Sequence, residues 1–203
     1  MKYRSARGFS LIEMLVVLAI IGVVAAIAMP MSGNAIRYAK ISGDARDLSN
    51  EIAVAKMRAA AKFTQSRVFV DLAGKQYSIQ TYTRSATTDC PTVGAWCTEG
   101  GTNSLASTVS FGYGSALYAP SNTQTTINQA AFCKNDASVD VAGTACIIFN
   151  SRGIPVDASG SPTNTYALYI NDGTLLYGVT VAATGFIRTW QSNYTTSPTW
   201  VLQ

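Results

Sequence analysis

Near the start of the chain, an apolar run from Phe9 to Met31 follows a short basic segment and is interrupted by one ionisable side chain, Glu13. A stretch of that length makes about 30 Å of helix, one hydrocarbon thickness, and the preceding Lys2, Arg4 and Arg7 are expected to stay on the cytoplasmic side. A secretory signal is the rival reading, because Ala26-Ile27-Ala28 imitates its cleavage pattern and would release a soluble protein starting at Met29. Two features oppose it. A carboxylate in an apolar run costs roughly 2.5 to 3.5 kcal/mol at mid-membrane and less near an end, so Glu13 needs a purpose. Helical patterning also continues past the proposed cut: Ile41, Ala45, Leu48, Ile52, Ala55 and Ala59 recur at spacings of three and four, with Arg46, Asn50, Lys56 and Arg58 on other faces.

Membrane helix and amphipathic helix therefore read as one element from Phe9 to about Ala61, on the order of 80 Å at 1.5 Å per residue. Pro30 lacks a backbone donor and is expected to kink it, while Gly22, Gly33 and Gly43 lower its helical propensity. The organisation that follows is a leader over 1–8, a transmembrane and assembly helix over 9–31, its amphipathic continuation over 32–62, and one globular β-rich domain over 63–203.

Composition narrows the function. Three of the fifteen Lys and Arg residues lie in the first eight positions, leaving twelve against eleven acids, so net charge gives nucleic-acid binding little support. Four cysteines, Cys90, Cys97, Cys133 and Cys146, fit two disulfides in an oxidising compartment. Three pairings exist; Cys90 with Cys97 and Cys133 with Cys146 is favoured because each closes a local loop. Zinc is the competing reading, weakened by the lack of a Cys-x-x-Cys pair and of any histidine. The same lack of histidine, with the acids after Lys75 scattered singly among turns, leaves no recognisable active site, and no cofactor or metal site is expected. Asn193-Tyr194-Thr195 matches a glycosylation sequon, a pattern common by chance.

In the β-rich part, 67–72 and 76–82 flank Ala73-Gly74-Lys75 and read as a hairpin. Further strands are expected at 108–111, 145–149, 166–170, 177–182 and 186–191. An antiparallel sheet packed on the outer half of the helix makes an α+β fold and covers Leu48 and Ile52.

Arg7-Gly8-Phe9-Ser10-Leu11-Ile12-Glu13-Met14-Leu15 resembles the processing site of type IV pilins and of the pseudopilins of type II secretion. The resemblance implies cleavage by a membrane prepilin peptidase between Gly8 and Phe9, N-methylation of Phe9 by the same enzyme, and Glu13 as an assembly residue. Pro30 falls where that family kinks its helix. The physics of Glu13 agrees: the amine freed at Phe9 of a neighbouring subunit would neutralise it, and losing either partner would leave the other uncompensated.

Ile148-Phe149-Asn150-Ser151-Arg152-Gly153-Ile154-Pro155 and Tyr177 through Arg188 resemble the GspH/FimT branch of pseudopilins and minor pilins. That resemblance implies a minor pseudopilin of a type II secretion system or, alternatively, a minor type IV pilin in DNA uptake or pilus priming. The implied partners are the peptidase and methyltransferase, other pilins or pseudopilins in a filament, an inner-membrane assembly platform, and lipid before assembly. The implied location is the bacterial inner membrane, with a single pass and the C-terminal domain in the periplasm or in an extracellular filament. Some relatives in this branch bind DNA through two arginines around a glycine-led turn. Here Gly185-Phe186-Ile187-Arg188 keeps only Arg188, too few charges for strong phosphate contact, so the residues argue against DNA as a partner.

Overall fold

The computed structural model describes residues 9–203, with the side chains of 28–32 outside the description. The leader and Gly8 therefore lie outside the described residues. One helix, α1, runs from Leu11 to Ala61 and is assigned without a break through Pro30. Twelve strands follow: β1 (Ser66–Asp71), β2 (Gln76–Tyr82), β3 (Trp96–Ser104), β4 (Ser110–Phe111), β5 (Cys133–Lys134), β6 (Asp140–Val141), β7 (Thr144–Phe149), β8 (Pro155–Val156), β9 (Tyr166–Asn171), β10 (Leu175–Val181), β11 (Ile187–Asn193) and β12 (Val201–Leu202). The architecture is α+β, an N-terminal helix packed on an antiparallel β domain.

By contacts the chain divides into two compact units, one ending at Ala39 and the other spanning Lys40–Gln203, with α1 contributing to both. In the first, apolar side chains face outward on every side of the helix: Leu11, Ile12, Leu15, Leu18, Ile21 and Val24 are all exposed. Among the described residues no helix is long and apolar enough to cross a membrane. This departs from the span expected over 9–31.

In the second unit, Ile41, Ala45, Leu48, Ile52, Ala55 and Ala59 are fully buried. Their spacing sets them along one stripe, with alanine at three of the six positions so that the helix backbone can lie close to the strands. They share a core with Val68 and Val70 of β1, Ile147 and Phe149 of β7, Leu168 and Ile170 of β9, and Val179 and Val181 of β10.

The strands form two five-stranded sheets rather than the single sheet expected from sequence. One has the order β3-β2-β1-β7-β8 and the other β12-β11-β10-β9-β4. The division arises because β7 pairs with β1 of the first hairpin rather than with β9, the next long strand: Ser66 opposes Phe149 and Asp71 opposes Thr144. Strands of both sheets then present alternate residues to one helix stripe. The opposite faces carry smaller clusters, Cys133, Cys146, Ile148 and Val156 on the first sheet, and Ala167, Tyr169 and Leu176 on the second.

Turn chemistry fits each connection. Asp71 Oδ1 accepts from the N–H groups of Ala73 and Gly74 at 3.1 and 2.9 Å, closing the first hairpin, and Asn150 Oδ1 accepts from Arg152 and Ile154 at 2.9 and 3.1 Å between β7 and β8. Cys90 is bonded to Cys97, and Cys133 to Cys146. The second bridge is buried and binds β5 to β7, whereas the first ties an exposed loop to the edge strand β3.

Candidate functional site: the amino-terminal helix end and the paired turns

At the helix start, Ser10 Oγ accepts from the N–H of Ile12 at 3.2 Å, and the Ser10 N–H donates to Glu13 Oε2 at 3.4 Å. The N–H groups of Glu13 and Met14 donate to Ser10 O at 3.1 and 3.2 Å. Ser10-Leu11-Ile12-Glu13 is thus a capping box, serine satisfying a free donor of the first turn while glutamate reaches back to the serine amide. The Ser-x-x-Glu spacing carried this signal, and sequence reasoning passed it over in favour of Glu13 alone. The carboxylate also sits at the positive end of the helix dipole. Phe9, just before the cap, is 82% exposed, and the apolar residues that follow are exposed as well. The described chain thus brings Phe9 and Glu13 to one helix end, where an anion and a large apolar side chain both lack a buried setting.

The two C-terminal segments singled out in the sequence meet in space. Gly153, in the turn between β7 and β8, has φ +73°, and Gly185, in the turn between β10 and β11, has φ +76°. A Cβ at Gly185 would stand 2.6 Å from Gly153 O, and one at Gly153 would stand 3.2 Å from the Lys56 side chain. Both positions therefore require glycine for conformation and for space. Lys56 Nζ donates to Gly185 O at 2.9 Å. Lys56 had read only as part of the helix's polar face, and a contact across 129 positions has no local signature.

Arg188, the candidate DNA contact, begins β11 on an exposed site, its guanidinium 5.5 Å from the ring centre of exposed Phe186. Lys56, the nearest cation tied to this turn, has its ammonium engaged by the Gly185 carbonyl. The turn does not assemble the row of free cations that phosphate tracking needs. Trp190 donates its indole N–H to Thr180 Oγ1 at 2.9 Å, and Trp200 donates to Tyr118 O at 2.9 Å. Among the described residues no group of three or more His, Cys, Asp or Glu is placed to hold a metal.

Residues 3–29 match the family model of the prokaryotic N-terminal methylation motif. No curated protein matches the chain. Two solved structures of the minor pseudopilin EpsH from the type II secretion system of Vibrio cholerae are similar to it. One is 14% identical, with a TM-score of 0.41, and the match covers 79% of this chain and 94% of that one. The other is 8% identical, with a TM-score of 0.35, covering 81% and 96%. Likenesses of that strength carry no conclusion about function. The methylation motif ends on the helix whose capped start holds Phe9 and Glu13, and this is a chain that carries the prokaryotic N-terminal methylation motif.

Proposed function

We propose that the protein is a minor pseudopilin of the GspH/FimT type in a type II secretion system. In this reading a prepilin peptidase cuts between Gly8 and Phe9, Phe9 is N-methylated, and the chain is built into a periplasmic pseudopilus. The observation that carries it is the methylation motif over 3–29 leading into a helix whose apolar residues are exposed on all sides over 11–27. Such a surface is costly in water and stable against lipid or other apolar helices. The proposed order of events is residence in the inner membrane as a single pass, then transfer of 9–31 into a bundle of like helices on an assembly platform, with a bend at Pro30 easing the fit. The β domain stays on the periplasmic side.

Glu13 supplies register. Near the membrane its charge is tolerated because the cap donates Ser10 N–H to it, and in the bundle the methylated amine of a neighbouring Phe9 replaces that weak contact with an ion pair. An offset helix would leave both charges unpaired in an apolar setting. The role is assembly rather than turnover. A minor type IV pilin is the second reading, since it shares the N-terminal motif; genes for a secretion ATPase and a secretin beside this one favour the first reading, and genes of a pilus operon the second.

Mass spectrometry of the mature chain tests the proposal. The expected N-terminus is methylated Phe9; an intact Met1, or a terminus at Met29, overturns it.

A further inference from the structure

The outer face of the first sheet carries a cation in an unusual setting. Arg67 lies on β1 two positions before Phe69, opposite Gln80 on β2 and Ile148 on β7, and is only 4% exposed. Its guanidinium stacks on the Trp96 ring at 4.0 Å from the centre and stands 5.6 Å from that of Phe69. Its Nε donates to Gln80 Oε1 at 2.8 Å and its Nη1 to Lys134 O at 2.7 Å. Those are the only acceptors the structure gives it, and no carboxylate forms an ion pair with it among the described residues. Burial pushes the group down to about 10, against the opposing pull of Asp136.

A guanidinium serving only to brace the sheet would have its donors taken by the protein, because a desolvated N–H without an acceptor is costly. Here the remaining donors line a polar cavity of about 350 Å³, together with Tyr82, Arg84, Asn135, Asp136 and Trp96. The acids around it are otherwise engaged. Asp136 Oδ1 accepts from Trp96 N–H at 2.9 Å, and Asp157 is held below the usual carboxylate range first by the Ser159 hydroxyl and then by the Ser161 amide of its own turn. Lys134 is paired with Asp140 at 2.8 Å. The cavity is therefore faced by a guanidinium whose Nη2 has no protein acceptor among the described residues, in a setting where Arg67 and Arg84 balance Asp136 and Asp157. A monoanion suits that balance better than a phosphate dianion, and a carboxylate matches the fork.

We propose that this cavity binds a carboxylate carried on a group of one or two amino-acid residues in size, seated against Arg67 with Trp96 as its apolar wall. The inference does not depend on the assembly role above.

The test is a titration of the full chain in detergent micelles, followed by the nitrogen-edited NMR signals of Arg67 Nε–H and the Trp96 indole. The probes are N-acetyl-alanyl-alanine, its C-terminal amide, the α-monoamide of N-acetyl-glutamate as a source of a side-chain carboxylate, and inorganic phosphate. Saturable shifts with either carboxylate, at least about tenfold weaker with the terminal amide and with phosphate, are expected; the tighter of the two carboxylates names the source. Shifts equal for acid and amide, saturation by phosphate alone, or no saturation overturn the proposal. Arg67→Lys is expected to weaken binding about tenfold, since lysine offers a point charge in place of a fork. Should that variant lose its folded spectrum, Asp136→Asn decides. It keeps an acceptor for the Trp96 amide and removes an opposing charge, so affinity should rise about threefold or more; unchanged or weaker binding counts against the site.

Discussion

Two stretches of α1 use the same backbone for opposite purposes. Over 41–59 six apolar residues form one stripe buried to 0% exposure, whereas over 11–27 the apolar residues surround the helix and are exposed. The outer stretch is thus solved within the chain, where two sheets supply the apolar counter-surface. The inner stretch has none. A helix apolar all round is stable only when something beyond its own chain surrounds it. One stretch is covered by its own chain, and the other presents its apolar side chains outward.

Substitutions that remove the same atoms from both stretches break the comparison most directly. Ile52→Ala should destabilise the Lys40–Gln203 unit by about 2–4 kcal/mol, since it opens a cavity between the helix and the sheets, whereas Ile20→Ala should leave that unit's chemical denaturation midpoint in detergent unchanged. The disulfides give the next effect. Replacing Cys133 and Cys146 by alanine should cost about 3 kcal/mol, and replacing Cys90 and Cys97 less, because the former closes the longer loop and is buried; urea titrations of both pairs check the order.

Glu13→Ala sharpens the contrast from the other side. On the proposed assembly role, recovery in purified filaments should fall about tenfold, while the thermal midpoint of the β unit stays put, because Glu13 lies outside that unit. The smallest effect is electrostatic. Glu99 on β3 is paired with Lys62 and, at 3.8 Å, with Arg58, and although burial opposes it, the Lys62 hydrogen bond leads the contributions that lower its carboxyl below the usual 4.5. A depressed folded-state pKa adds stability that is present above about pH 4.5 and lost as pH falls through the folded value. Glu99→Gln should therefore cost about 0.5 kcal/mol at neutral pH and nothing in strong acid, measured by denaturation across that range.

Legibility in the sequence followed locality. The helix stripe was plain because its period repeats for five turns, and 67–72, 76–82, 145–149 and 166–170 stood out through β-branched and aromatic residues between turn signals. Trp96–Ser104 went unseen: Gly100-Gly101 and a polar tail remove alternation, and the strand is defined by its partner, with an irregularity between Tyr77 and Ile79 in the pairing. The two-residue strands β5, β6, β8 and β12 carry no periodic signal at all. The split into two sheets depended on β7 joining β1 across more than seventy positions, and the contacts of Lys56 and Arg67 are equally remote. The capping box at Ser10 and Glu13 was readable from spacing alone, and the interest of a charge in an apolar run concealed its ordinary role.

Lys56 touches the turn of each sheet, bonding Gly185 O while its stem lies against Gly153. Both layers are consequently pinned to the helix at one shared residue besides the apolar stripe, so shortening the Lys56 side chain should loosen the two turns together.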